Sequence, residues 1–116
     1  MKEFVVLIRV HAALVALEQE DALTGIRARA ISAPTTADAI QLAHSGTVDL
    51  ALIEYRDDDD TPLLTEALKQ NTVAHFAFDN RVFREDDTIN GALRVFPYPF
   101  PTDAVVAAIA SFQEVV

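Results

Sequence analysis

The feature that most constrains the fold is a regular alternation of short apolar runs with longer segments of helical character. The runs at residues 4–8 and 48–53 are apolar and partly β-branched, which is typical of strands buried on both faces of a parallel sheet. The run at residues 27–31 alternates charged with small residues, as expected of a strand nearer a sheet edge. Residues 73–78 and 93–96 complete a set of five predicted strands.

The segments between these strands are rich in helix-forming residues and are predicted to be helical. One of them follows Thr35, which stands at capping-box spacing from Asp38, and precedes Gly46, a plausible helix stop. The predicted helices are residues 12–23, residues 36–44, a segment beginning at Thr61, and residues 102–116.

Strands and helices that alternate at this spacing indicate right-handed βαβ units. They predict an α/β fold in which a doubly wound parallel sheet carries helices on both faces. Five strands favour the flavodoxin-like order 2-1-3-4-5, whose ligand sites lie at the carboxyl ends of the strands. Residues 80–91 leave room for only a turn or two of helix. The sequence therefore predicts a shortened fourth helix.

The length and composition indicate one domain spanning residues 1–116. Apolar residues make up 51% and charged residues 23% of the chain, as in ordinary globular proteins. The formal net charge of −9 repels phosphodiester backbones and anionic lipid, so neither nucleic acid nor membrane is expected as a partner. The absence of cysteine excludes disulfides and thiolate metal sites. The first apolar run is too short for a signal peptide or a membrane span, so a cytoplasmic location is expected.

Four segments, taken in order along the chain, resemble one protein family. Residues 13–23 are similar to the first helix, residues 36–40 to the second helix and residues 48–53 to the third strand of response-regulator receiver (CheY-like) domains. Tyr98-Pro99-Phe100 stands where that family has Lys-Pro-Phe. The resemblance implies a CheY-like fold and a bacterial module of two-component signal transduction, in which a phosphorelay passes a phosphoryl group to an aspartate.

The residues that carry out phosphoryl transfer in that family are replaced in this sequence. The resemblance places Val10 and His11 where an acidic pair binds Mg²⁺, and Glu54 in place of the phosphoacceptor aspartate. It places Ala77 at the phosphate-sensing hydroxyl and Tyr98 at the neutralising lysine. Phosphoryl transfer needs a divalent cation and positive charge to stabilise its transition state. We therefore expect a degenerate phosphoacceptor pocket without catalytic residues, metal or cofactor, in a chain that is not an enzyme.

Two interpretations of Glu54 are open at this point. Its carboxylate is either a permanent mimic of a phosphorylated aspartate, or a structural group at a disused site that pairs with Arg9, His11 or Arg56. A shift of the alignment by one residue would place Arg9 and Val10 at the acidic pair, which again supplies no carboxylate.

Two further polar features receive structural interpretations. The aspartate run at residues 57–60 is predicted to be a solvated loop rather than a cation site. His75 lies inside an apolar strand and is predicted to be a hydrogen-bonded residue of the core or of a sheet face rather than a metal ligand.

The last predicted helix carries little charge, since Asp103 and Glu114 are its only charged residues. A helix that is apolar or small nearly all round tends to be buried on more than one side. Val106, Ala110 and Phe96 are the interface candidates, for a homodimer or for a protein partner such as a histidine kinase or another regulator. The stripe expected to face the sheet comprises Val105, Ile109, Phe112 and Val116, and a second face comprises Ala104, Ala108, Ser111 and Val115.

The functional hypothesis is a pseudo-receiver that signals through protein contacts and not through phosphorylation. The alternative is a small-ligand or anion sensor that uses the vacated phosphate pocket, with positive charge from Arg9, His11 and Arg56. An atypical enzyme is disfavoured, because the sequence shows no nucleophile–base pair and no glycine-rich phosphate cradle.

Overall fold

The computed structural model describes residues 4–10, 23–26, 28–54, 60–79, 92–97 and 102–115. Its strands are β1 (Phe4–Arg9), β2 (Ala28–Ser32), β3 (Leu50–Glu54), β4 (Ala74–Asp79) and β5 (Arg94–Pro97). They form one parallel sheet in the order β2-β1-β3-β4-β5. This confirms the predicted flavodoxin-like order, and β2 lies at an edge of the sheet, as its alternating sequence predicted.

Several predictions fall outside the described residues. They are the helix over residues 12–22, the shortened fourth helix at residues 80–91 and the places of His11, Arg56 and Tyr98. The first three aspartates of the acidic run, residues 57–59, also lie outside them. These points remain predictions.

The helices of the described part are a short 3₁₀ helix (Thr24–Ile26), α1 (Thr36–His44), α2 (Asp60–Gln70) and α3 (Thr102–Val115). α3 packs on one face of the sheet, and α1 and α2 pack together on the other. Helices on both faces are the doubly wound arrangement that the alternating sequence predicted.

Two apolar clusters cover the two faces of the sheet, because successive side chains of a strand point to opposite sides. Side chains of neighbouring strands in both clusters are fully buried, as expected of a parallel sheet covered on both faces. The cluster under α3 includes Val6, Ile8, Leu52, Phe76, Phe78, Val105 and Ile109. The cluster under α1 and α2 includes Leu7, Ala39, Ala43, Ala51, Ile53, Leu64 and Leu68.

Local side-chain chemistry fixes both ends of α1. Thr35 has an extended backbone with φ −135°, and its Oγ1 accepts a hydrogen bond from the Asp38 backbone N–H at 3.1 Å. This satisfies one of the N–H groups that a helix start leaves without a partner. Gly46 follows the helix with φ +78°, a conformation that glycine adopts without steric cost. The predicted start and stop of this helix are confirmed.

The turn from α2 into β4 has the hydrogen bonds of a Schellman motif. The Val73 N–H donates to the Leu68 carbonyl at 2.8 Å, and the Thr72 N–H donates to the Lys69 carbonyl at 3.1 Å. Val73 and Leu68 also belong to the same apolar cluster. Thr72 has φ +57° at the position where such motifs usually have glycine, so its β-branched side chain is strained.

Asp49 connects the start of β3 to β1 through two hydrogen bonds with Val5. Its backbone N–H donates to the Val5 carbonyl at 2.9 Å, and its Oδ2 accepts from the Val5 N–H at 2.8 Å. The carboxylate therefore satisfies a backbone donor of a buried residue one position before the ladder of β1 and β3 begins at Val6 and Leu50.

No helix within the described residues combines the length and apolar character needed to cross a membrane.

Candidate functional site

The predicted site lies at the carboxyl edge of the sheet, by which we mean the C-terminal ends of β1, β3 and β4. Arg9 is paired with Ile53, and Ile53 with Ala77, so these three residues form one row across the strands. Glu54 follows in the next row, paired with Phe78, and Val10 follows directly after Arg9. The parallel register therefore places Val10 and Glu54 at the ends of the neighbouring strands β1 and β3, with Ala77 one row further back.

Val10 is a residue that the resemblance places at an expected metal ligand. It comes directly after β1, is 6% exposed, and belongs to the apolar cluster under α3. Its isopropyl group is thus part of the hydrophobic core, where it contributes burial of apolar surface and no oxygen atom.

Glu54 is the last residue of β3 and is 9% exposed, although it carries a carboxylate. Carboxylates are almost never buried to this extent unless they are paired or hydrogen-bonded. Glu54 takes part in at least one hydrogen-bonding, ionic or other electrostatic interaction. Among the described residues of the predicted pocket, Glu54 is the one that carries the negative charge expected there.

Ala77 is fully buried within β4, with no exposed surface. A methyl group neither donates nor accepts a hydrogen bond, so this position cannot sense a phosphoryl oxygen as a hydroxyl would.

Mg²⁺, which the resemblance implies for this edge, does not fit the described residues. The ion requires near-octahedral oxygen coordination and is usually held by one or two carboxylates with water. The end of β1 offers the apolar Val10 and the cationic Arg9 in place of carboxylates. Within the part of the chain that the structure describes, no three His, Asp or Glu side chains group to hold a metal ion.

Arg9 brings positive charge to the carboxyl edge. It is half-buried, and its Nη1 donates to the Val10 carbonyl at 3.2 Å. This guanidinium is the described member of the three positive groups on which the anion-sensor hypothesis depends.

His75 is a buried titratable group in the middle of β4. It is 4% exposed, and its buried Nε2 has no hydrogen-bond partner among the residues that the structure describes. The prediction of a core residue is confirmed, but this ring nitrogen is not hydrogen-bonded as the sequence suggested. Burial lowers the pKa of His75 below its ordinary 6.5, because it disfavours the charged imidazolium.

Two of the interface candidates, Val106 and Ala110, lie on α3. Val106 and Ala110 are half-buried, and Ala104, Ala107 and Ser111 are exposed. The helix therefore presents an accessible strip of small side chains beside two partly covered apolar ones. The expected stripe toward the sheet is confirmed at Val105 and Ile109, which are 3% and 0% exposed.

The interface candidate Phe96 and one residue of the second face of the last helix, Ala108, both lie in the core. Phe96 is 4% exposed and packs against Phe76 and Phe78, with ring centroids 5.9 and 5.8 Å away. It offers no accessible surface to a partner, because the aromatic cluster under α3 covers it. Ala108 was assigned to the second face of the last helix, but it is 8% exposed and belongs to the same cluster.

Solved structures match this arrangement over nearly its whole length. The receiver domain of the TMAO respiratory system response regulator TorR is 18% identical, with a TM-score of 0.83 over 97% of this chain and 98% of that one. A response regulator from Thermotoga maritima is 16% identical, with a TM-score of 0.81 over 96% and 98%. HP1043, an orphan response regulator of H. pylori, is 16% identical, with a TM-score of 0.80 over 95% and 96%.

The chain has the receiver fold. This confirms the CheY-like fold that the co-linear segments predicted. No family model and no curated protein matches the sequence. This chain and the solved structures therefore share a backbone fold, although fewer than one residue in five is identical.

Proposed function

We propose that this chain is a phosphorylation-independent signalling module that has a receiver fold and acts by binding another protein. The observation that carries the proposal is the chemistry of the carboxyl edge. The resemblance leads us to expect a metal ligand at Val10 and a hydroxyl at Ala77. Val10 is instead an apolar residue of the core, and Ala77 is a buried residue whose side chain is a methyl group. Neither side chain can coordinate a cation or hydrogen-bond a phosphoryl oxygen. Phosphoryl transfer to Glu54 would therefore take place without a metal ligand at Val10 and without a hydroxyl at Ala77.

Incubation with Mg²⁺ and acetyl phosphate, followed by intact-mass spectrometry, tests this proposal. The wild-type chain is expected to remain unmodified. Glu54→Asp is the matched variant, and it is also expected to stay unmodified, because a restored acceptor leaves Val10 and Ala77 unchanged. A phosphorylatable receiver domain treated in parallel shows that the reagent is active. Stoichiometric modification of Glu54 in the wild-type chain would refute the proposal.

We assign Glu54 a structural role and not that of a permanent phosphate mimic. Its burial at the edge of the sheet makes it a group held by its surroundings. Glu54→Gln keeps the size of the side chain and removes its charge. The variant is expected to keep the oligomeric state and the partner binding of the wild type. Loss of either property in a folded Glu54→Gln protein would favour mimicry instead.

The docking surface that we propose is the accessible side of α3, carried by Val106 and Ala110. Exposed Ala104, Ala107 and Ser111 extend it along the helix. Burying apolar surface on association releases water and stabilises a complex. A second copy of this chain is the first occupant to test, and a kinase or another regulator is the other class of protein partner.

Sedimentation velocity of two variants with the same charge change tests this surface. Val106→Glu places a charge on the half-buried part of α3, whereas Gln41→Glu places one on the exposed side of α1, across the sheet. A self-association constant is expected to weaken at least about tenfold in Val106→Glu, equivalent to about 1.4 kcal/mol, and to be unchanged in Gln41→Glu. A wild-type chain that is monomeric at high micromolar concentration, with Val106→Glu neutral toward every partner, would exclude this surface.

The anion-sensor alternative is supported by the placement of Arg9, a half-buried cation at the carboxyl edge. Thermal-shift titrations with phosphate, nucleotides and divalent metals separate the two hypotheses. A docking module is expected to show no concentration-dependent stabilisation. A rise in Tm with phosphate that disappears in Arg9→Gln would favour the sensor.

A further inference from the structure

We draw no further inference here: the strongest candidate, the exposed strip of α3 that carries Ala104, Ala107 and Ser111, belongs to the docking surface already proposed, and nothing in the structure shows what else covers it.

Discussion

Replacement of His75 by phenylalanine tests the electrostatic consequence of burying an imidazole in β4. The ring is 4% exposed, and its Nε2 has no hydrogen-bond partner in the described part of the chain. Burial lowers the pKa of His75 in the folded state below the ordinary value of 6.5 that the unfolded chain retains. As the pH falls through 6.5, the unfolded state therefore binds a proton before the folded state does. The free energy of unfolding must then decrease toward acid pH.

The size of this decrease has an upper limit set by proton linkage. If the folded protein never protonates His75, the free energy of unfolding falls by about 1.4 kcal/mol between roughly pH 7.5 and pH 5.5. A folded-state pKa inside that interval gives a smaller decrease, since both states then bind the proton at the acid end. The contribution is absent well above pH 6.5 in either case, because the imidazole is neutral in both states.

Urea denaturation followed by far-UV circular dichroism at several pH values between these limits measures the effect. The wild-type free energy of unfolding is expected to fall more steeply toward acid than that of His75→Phe. All other titratable groups are common to the two proteins, so the difference between their slopes isolates this residue. His44→Gln, which removes an exposed imidazole of α1, reports the change that replacement of a surface histidine produces. Parallel pH dependences for the wild type and His75→Phe would show that burial of the ring has no proton linkage.

Two further predictions concern local backbone contacts and use the same denaturation assay. Thr72→Gly is expected to raise the free energy of unfolding by about 0.5–1 kcal/mol, because glycine adopts a φ near +57° without the strain of a β-branched residue. Thr72→Ala, which keeps a Cβ atom, should raise the free energy of unfolding by less than Thr72→Gly does. Equal increases would show that the positive φ does not strain the threonine. Asp49→Ala is expected to lower the free energy of unfolding by about 1–3 kcal/mol, because the buried Val5 N–H loses its acceptor. Asp49→Asn retains an acceptor oxygen, so its free energy of unfolding should fall less. Equal decreases in the two variants would show that the hydrogen bond to the Val5 N–H is not the cause.

Features that depend on neighbours in the sequence were predictable. The hydroxyl of Thr35 and the backbone of Asp38 are three residues apart, and their hydrogen bond forms wherever a helix begins there. The positive φ of Gly46 is likewise a property of one residue. Such interactions need no knowledge of the rest of the fold, which is why both ends of α1 agree with the prediction.

Features that depend on contacts between distant segments were predicted less well. Helical spacing places Ala108 on a second face of the last helix, outside the stripe expected to face the sheet, but the packing of α3 across the strands buries it with that stripe. Phe96 is an interface candidate from the sequence, yet it packs against the rings of Phe76 and Phe78 in β4. Strand and helix periodicity gives the spacing of a buried face but not its width, because that width depends on the elements packed against it.

Some features of the candidate site follow from the sequence, and others depend on contacts between distant segments. That the end of the first strand has no carboxylate and the fourth strand no hydroxyl at Ala77 is a matter of composition, and the sequence alone established it. Two features of the described residues had no recognisable sequence signal. They are the absence of a hydrogen bond to His75 Nε2 and the use of the Asp49 carboxylate as a backbone acceptor. Both depend on which groups of other strands come within hydrogen-bonding distance.

The sequence by itself determined the alternation of strands and helices, and with it the class of fold. It favoured the strand order that the sheet has. It also determined which chemical groups the carboxyl edge lacks. Only the tertiary structure decided that Val10 joins the core, that Glu54 is buried and that Val106 and Ala110 stay partly accessible. The physical reason is that periodicity arises within one segment, whereas burial sums contacts among residues far apart in the chain.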